Sequence, residues 1–269
     1  MQGFAPILMM RSGHRLGVSS HEARLAISFL VGVGPAAALM WVSLRRFDYP
    51  MAPKALFDDR RVFLAFAVGM GFGVFASVLT IFLSVMVAAA GGFGGTLSLF
   101  VVALFEVSFM LVYLNRPGYR GRFETTFYGT SLGLGAAATL TMASAFSLNP
   151  ALAGSPELAA LLALFAVSMA LVLGSTGSLV GFGTARQQAL RYFARAYLVR
   201  LSHLLILFFF FTTQDVPVAA ASLVASLAFA AVVYVFVYRE ILPETLPREI
   251  RRELRRWPRE TKRPAKESE

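Results

Sequence analysis

The sequence contains no cysteine and only three histidines. The first absence excludes disulfide bonds, thiolate metal sites and cysteine nucleophiles. Two of the histidines, His14 and His21, precede the first long apolar run, so we do not expect an all-histidine zinc site among the hydrophobic segments. Any chemistry in these segments must therefore come from carboxylates, hydroxyl groups or the remaining imidazole, His203.

Charged side chains are scarce as well. They make up 15% of the 269 residues, whereas hydrophobic residues make up 57%, and no globular core of this size could bury so much apolar surface. The composition predicts an all-α polytopic membrane protein, a bundle of about seven transmembrane helices. A helix needs about 20 mainly apolar residues to cross the hydrocarbon layer. Seven stretches meet or approach that length: 25–44, 62–90, 96–114, 125–148, 158–183, 201–216 and 218–238. The sixth is short, and the helical composition of residues 184–200 allows it to start earlier.

The apolar stretches divide the chain into three parts. Residues 1–24 read as an N-terminal tail without the features of a signal peptide, 25–238 as the transmembrane domain and 239–269 as a basic tail. All but three of the 25 Lys and Arg side chains fall on one side of a seven-span arrangement. The positive-inside rule makes that side cytoplasmic. We therefore expect an integral cell-membrane protein with its N-terminus outside and its C-terminus in the cytoplasm. The three exceptions are Arg11, Arg15 and Arg24.

The basic tail has an apolar stripe. Leu246, Ile250, Leu254 and Trp257 follow one another at helical spacing, and arginines cover the other faces. Such a helix lies on anionic membrane lipid with its stripe in the interface, and the alternative is a solvated tail that only sets topology. Membrane sidedness accounts for the net charge of +10, so we do not expect a nucleic acid as a partner.

Small residues recur at four-residue spacing in two of the stretches. Gly129 and Gly133 share one face of the fourth stretch, and Gly177 and Gly181 share one face of the fifth. Faces of this kind let two membrane helices approach closely. We therefore predict that these glycines pack helices together.

Glu106 is the one charged residue well inside any of the seven stretches. At 1.5 Å per residue it lies about 12 Å from the end of the third stretch, near Leu114. A charged residue at such a depth costs about 2.5–3.5 kcal/mol on insertion scales and by default marks a functional site. The alternative is a protonated carboxyl group that forms a hydrogen bond with a neighbouring helix.

Four further polar side chains accompany Glu106 as candidates. His203 begins the sixth stretch, where it is either an interfacial anchor or a partner that shares a proton or a substrate carbonyl with Glu106. Three hydroxyl groups in the fifth stretch lie at a depth similar to that of Glu106 and bind either substrate or their own backbone. They belong to Ser175, Thr176 and Ser178.

The order of segments along the chain carries a family resemblance. The stretch 45-RRFDYPMAPKALFDDRRVFLAFAVGMGFG-73 has a basic, aromatic and acidic start, a proline-containing loop and a span that opens with an aromatic residue and glycines. The stretch 103-ALFEVSFMLVYLNRPGYRGRFETTFYGTSLGLGAAATLTM-142 contains an acid in one span, a short basic loop and a glycine-rich helix. The first stretch resembles the entry segment, and the second the central block, of the PrsW family of glutamic or metallo-type intramembrane proteases. This family is related to the CAAX-type membrane proteases. The stretches 171–188 and 201–210 resemble that family's two histidine-bearing spans.

The family's motif residues can be matched to this chain position by position. The double glutamate falls on Phe105 and Glu106, so one acid is kept, and no lysine follows in that span. The second histidine matches His203, and Tyr128 keeps the pattern of the glycine-rich helix. The family's Glu-Asn pair and its first histidine fall on uncharged residues: Leu140, Thr141 and Gly174.

The resemblance implies a site in which glutamates and histidines activate water or bind a metal for peptide hydrolysis. Because Glu106 and His203 are the two members of the family's set of acids and histidines that this chain keeps, we expect a catalytically impaired relative without a cofactor. It would bind a transmembrane segment or a lipid-linked substrate, with Tyr128 and the three hydroxyl groups as candidate contacts. Neither the substrate nor the oligomeric state follows from the sequence.

Two alternatives stay open. The first is an active intramembrane peptidase that uses Glu106 and His203, helped by Glu124, with a divalent metal as an option. The second is a small transporter or channel in which Glu106 is a proton or cation site.

Overall fold

The computed structural model describes residues 20–48, 52, 55–90, 92–147, 156–213 and 215–252. Helices fill most of these ranges and strands are absent from them, so the predicted all-α fold is confirmed. The final long helix continues through a π-helical turn, Val237–Ile241, into the short helix α8, Leu242–Thr245. The seven long helices are α1 Ser20–Leu44, α2 Asp59–Ala90, α3 Gly92–Leu114, α4 Thr125–Ser147, α5 Pro156–Ala185, α6 Ala189–Thr212 and α7 Val216–Phe236.

Six helices in the described part of the chain are long and apolar enough to cross a membrane: α1, α2, α3, α5, α6 and α7. The chain is therefore an integral membrane protein built from helical spans. The remaining long helix, α4, is rich in Gly, Ala, Ser and Thr, and most of its side chains are buried. It packs against α1, α2 and α5, so its surface meets protein rather than lipid and does not need large apolar side chains.

Glycines bring α4 into backbone contact with α5. A Cβ atom at Gly129 would overlap the carbonyl oxygen of Gly177, and one at Gly177 would overlap that of Gly129. A Cβ at Gly133 would meet the Leu173 carbonyl, and one at Gly181 would meet the Thr125 carbonyl. The two helices therefore touch along the face that these four glycines form.

Glycines also bring α4 into backbone contact with two other helices, α2 and α1. A Cβ atom at Gly69 of α2 would overlap the carbonyl oxygen of Leu132, and one at Gly135 would overlap that of Phe66. On α1, Gly32 faces the Ala138 carbonyl in the same way. The sequence pattern showed one close-packed face of α4, whereas the folded helix has three.

Several chain segments meet at one end of the bundle, which we call the basic end. It comprises residues 45–48 and 55–58, the α3–α4 loop (115–124), the α5–α6 turn (186–188) and the C-terminal segment (237–252). The Gly121 N–H donates to the Thr184 carbonyl at 3.3 Å, and the Thr245 hydroxyl donates to Thr126 Oγ1 at 3.0 Å. The positive-inside rule predicts that this end faces the cytoplasm.

The C-terminal segment folds back onto the basic end. Leu246 is 2% exposed within the main hydrophobic cluster, and Ile250 packs against that cluster. Leu254 and Trp257, the other members of the predicted lipid-facing stripe, lie outside the described residues. The first two apolar residues of the stripe thus contact protein.

We expect Gly133→Ala to lower the thermal unfolding temperature of the detergent-solubilised protein. The added methyl group overlaps the Leu173 backbone, and overpacking of this kind costs about 1–3 kcal/mol. Gly71→Ala is the matched control, because nothing lies within 4 Å of a Cβ at that position and alanine favours a helix over glycine. Equal unfolding temperatures for the two variants would contradict backbone contact between α4 and α5.

Candidate functional site

Arg200 lies in the middle of α6. The helix runs from Ala189 to Thr212, which puts Arg200 about 16 Å from one end and about 18 Å from the other. The sixth span therefore begins about three turns before residue 201, inside the stretch 184–200 that the sequence offered as an earlier start. Taking Arg200 as the edge of the apolar run hid a second charged residue inside the bundle.

Glu106 and Arg200 form a buried ion pair between α3 and α6. Arg200 Nη2 donates to Glu106 Oε1 at 2.9 Å, and Arg200 Nε donates to Glu106 Oε2. Each residue is 1% exposed. The planar guanidinium fork matches the carboxylate and occupies both of its oxygens. Glu106 is therefore the anionic half of a two-pronged pair rather than an isolated acid.

His203 continues the chain of contacts one helical turn beyond Arg200. Arg200 Nη1 lies 3.2 Å from His203 Nδ1. Since a guanidinium has donors and no acceptor, Nδ1 must accept this bond with a lone pair. The ring is then the neutral tautomer with its proton on Nε2, which lies 2.8 Å from Ser168 Oγ.

The remaining protons follow from this tautomer. His203 Nε2–H donates to Ser168, so the Ser168 hydroxyl donates in turn to Ser226 Oγ at 3.0 Å. Ser226 donates to the Leu223 carbonyl of its own helix, also at 3.0 Å. Every hydrogen bond runs in one direction, from the guanidinium to a backbone carbonyl.

We call this set of side chains the buried network. Its members come from four helices, and each is 1% exposed or less. The network ties α3, α5, α6 and α7 together with all of its charge compensated. It consists of Glu106, Arg200, His203, Ser168 and Ser226.

The three hydroxyl groups predicted near Glu106 are occupied elsewhere. Ser175 donates to the Leu171 carbonyl at 2.6 Å, and Thr176 donates to the Leu173 carbonyl at 3.0 Å. Ser178 donates to the Gly174 carbonyl of its own helix at 2.7 Å and lies 2.7 Å from Thr130 Oγ1 of α4. Of these contacts, the one between Ser178 and Thr130 joins α5 to α4, while the others stay within α5. All of them are separate from the buried network.

Tyr128 lies at the basic end. Its hydroxyl accepts a bond from the Asp58 N–H and donates to Glu124 Oε2, each at 3.3 Å. Glu124 also pairs with Arg122 at 3.5 Å. The structure thus joins Glu106 and His203 through Arg200 and places Tyr128 and Glu124 in a different cluster.

Phe105 faces away from the buried network. It is 39% exposed, and its ring centroid lies 5.5 Å from that of Phe72 on α2. An acid at this position would therefore point toward the α2 side of α3, while Glu106 points toward α6.

The residues around Glu106 do not fit a metal ion. The described part of the chain contains no group of three His, Cys, Asp or Glu side chains that could hold one. The two nearest candidate ligands, Glu106 and His203, both accept bonds from the Arg200 guanidinium. A cation placed between them would have to displace the cation already there.

Comparisons of this chain with protein-family models, with curated proteins and with solved structures found no significant match.

Breaking the ion pair from either side should destabilise the fold. We expect Glu106→Leu and Arg200→Met each to cost about 3–5 kcal/mol, because each leaves a buried charge uncompensated. The double variant should be more stable than either single variant, because it leaves no unpaired charge. It should still be less stable than the unaltered protein by the hydrogen bond that His203 loses with Arg200. Unfolding in detergent by heat or denaturant measures all three.

Arg195→Met is the matched control for this cycle. It removes an exposed arginine from the same helix, where it lies over the Tyr192 ring. Single variants that are no less stable than Arg195→Met, or effects that simply add, would contradict the pairing.

The His203 tautomer is directly measurable. In nitrogen-15 NMR of histidine-labelled protein in micelles, we expect Nε2 to resonate as a protonated nitrogen and Nδ1 as an unprotonated acceptor. Arg200→Met removes the donor that fixes Nδ1, so its spectrum should lose this preference. A proton on Nδ1 in the unaltered protein would contradict the assignment.

Proposed function

We propose that this chain is an integral membrane protein on a PrsW-like scaffold that binds a transmembrane segment or a lipid-linked substrate without hydrolysing it. The observation that carries the proposal is the two-pronged pair between Glu106 and Arg200. A peptidase of this kind must abstract a proton from water, and this pair occupies the carboxylate that would do so.

A general base needs a free lone pair within hydrogen-bond reach of the water it activates. Both Glu106 oxygens accept from Arg200, and the residue is 1% exposed, so a water molecule cannot reach the carboxylate unless helices move. His203 has no free nitrogen either, because Nδ1 accepts from Arg200 and Nε2 donates to Ser168. These contacts support a structural role for the two residues.

The binding half of the proposal rests on the resemblance of 45–73 and 103–142 to the PrsW scaffold. On the folded bundle, α2 and α3 carry exposed apolar side chains that a membrane-spanning helix or a lipid chain can contact. Examples are Phe63, Phe75, Val101, Phe105 and Val112. We propose this face, rather than the surroundings of Glu106, as the place where a membrane-embedded partner docks.

A cleavage assay tests the catalytic half. The purified full-length protein is reconstituted in liposomes with a panel of single-span substrates and, in parallel, with an intramembrane peptidase that cleaves them. We expect no cleavage by this chain, since its candidate base is held by Arg200. Cleavage that disappears in both Glu106→Gln and His203→Gln, each shown to be folded by its unfolding temperature, would overturn the proposal.

Crosslinking in the same liposomes tests the binding half. A photoreactive amino acid at position 75 or 105 should crosslink to a substrate helix if the α2–α3 face binds it. The control is the same probe at Leu198, which is 59% exposed on α6. Equal yields at the two faces would indicate random collision in the bilayer.

A further inference from the structure

A cavity of about 610 Å³ lies at the basic end. Its walls are the α3–α4 loop, the end of α5 and the C-terminal segment from Arg239 to Arg251. Glu106 is not among its lining residues. The cavity lies where the chain leaves the spans, so we expect it at the level of the lipid headgroups.

Positive charge dominates the walls of this cavity. Two glutamates line it, Glu240 and Glu244, together with four arginines. No ion pair links these glutamates and arginines to any residue in the described ranges. The arginines are Arg186, Arg239, Arg248 and Arg251.

Two of the guanidinium groups converge on one main-chain oxygen. Arg186 Nη2 donates to the Glu244 carbonyl at 2.6 Å, and Arg251 Nη2 donates to the same oxygen at 3.0 Å. Arg251 also donates to the Leu246 carbonyl at 3.2 Å. A carbonyl dipole orients these cations without neutralising them, so two like charges are held together.

One donor of an arginine that lines the cavity has no hydrogen-bond partner in the described part of the chain. Arg251 Nε is buried and makes no hydrogen bond, although buried donors are nearly always paired. The Arg186 guanidinium is further fixed over the Phe182 ring, 5.4 Å from its centroid. Preoriented guanidinium groups and an excess of positive charge are the features of an anion site.

The size and place of the cavity indicate which anion. Its volume falls within the range of roughly 300–1,000 Å³ that small-molecule sites occupy, so an inorganic phosphate would leave most of it empty. Guanidinium forks match phosphate oxygens, and basic pockets where helices meet the headgroup layer recognise anionic lipids. Phe123 and Leu246 also line the cavity and add apolar surface beside the arginines.

We propose that this cavity binds the phosphodiester headgroup of an anionic phospholipid. We expect a headgroup without an ammonium group, because the four arginines outnumber the two glutamates in the walls and leave the cavity with a net positive charge. The proposal is independent of whether Glu106 has a catalytic role.

The test measures the unfolding temperature of the purified full-length protein in a neutral detergent. Three probes are titrated: a short-chain phosphatidylglycerol, the phosphatidylcholine of equal chain length, and inorganic phosphate. We expect a saturable rise with phosphatidylglycerol that the other two fail to reproduce at equal concentration. An equal response to both lipids, or saturation by phosphate in the same concentration range, would overturn the proposal.

A pair of charge-matched variants locates the site. Arg239→Gln with Arg248→Gln removes two cavity arginines that make no hydrogen bond to the described residues, so folding should be unaffected. Arg191→Gln with Arg195→Gln removes two exposed arginines from the start of α6, at the same end of the bundle. We expect the first variant to bind phosphatidylglycerol about tenfold more weakly and the second to match the unaltered protein. Equal losses in both variants would show diffuse surface attraction and contradict a defined site.

Discussion

The interior of this bundle depends on the ion pair between Glu106 and Arg200. A single unpaired charge in a membrane interior is costly. The packing of α3 against α6 is therefore stable when Glu106 and Arg200 face each other and pair. One residue of rotation moves a helical side chain by about 100° around the axis, which would turn Arg200 out of reach of its partner. The pair therefore fixes the rotation of both helices. His203, one turn further along α6, is thereby aimed at Ser168 on α5.

Two kinds of packing meet on α5. Along one part of this helix, Gly177 and Gly181 let α4 approach to backbone contact. Closer to its other end, Ser168 receives the hydrogen bond from His203 and passes one on to Ser226 of α7. Close contacts between small residues hold α1, α2 and α4, while polar bonds hold α3, α6 and α7. Because α5 takes part in both, it couples the two halves of the bundle.

The sequence predicts the long helices well, because an apolar run of spanning length can be read from the residues of that segment alone. The stretch 125–148 predicts even α4, whose surface meets protein rather than lipid. Arg200 escaped notice because a charged residue at the edge of an apolar run looks like a boundary. The helical period of α6 does contain a signal: Ala196, Arg200, His203 and Leu207 are spaced by three or four residues, and all are buried. The identity of the partner could not be predicted, since Glu106 is 94 residues away in the chain and the rotation of α3 leaves no trace in composition.

Membrane sidedness accounts for the number of arginines at the basic end but not for their arrangement. A topology signal works equally well from any position along a loop, so it gives no reason for four guanidinium groups to line one cavity. The fold supplies that reason. The hydrogen bond from Thr245 to Thr126 and the burial of Leu246 hold the C-terminal segment beside Arg186. Inside the bundle one cation is paired with one anion, whereas four arginines and only two glutamates line the cavity, and none of these arginines forms an ion pair in the described ranges. That contrast is why the interior supports a structural role and the basic end supports binding.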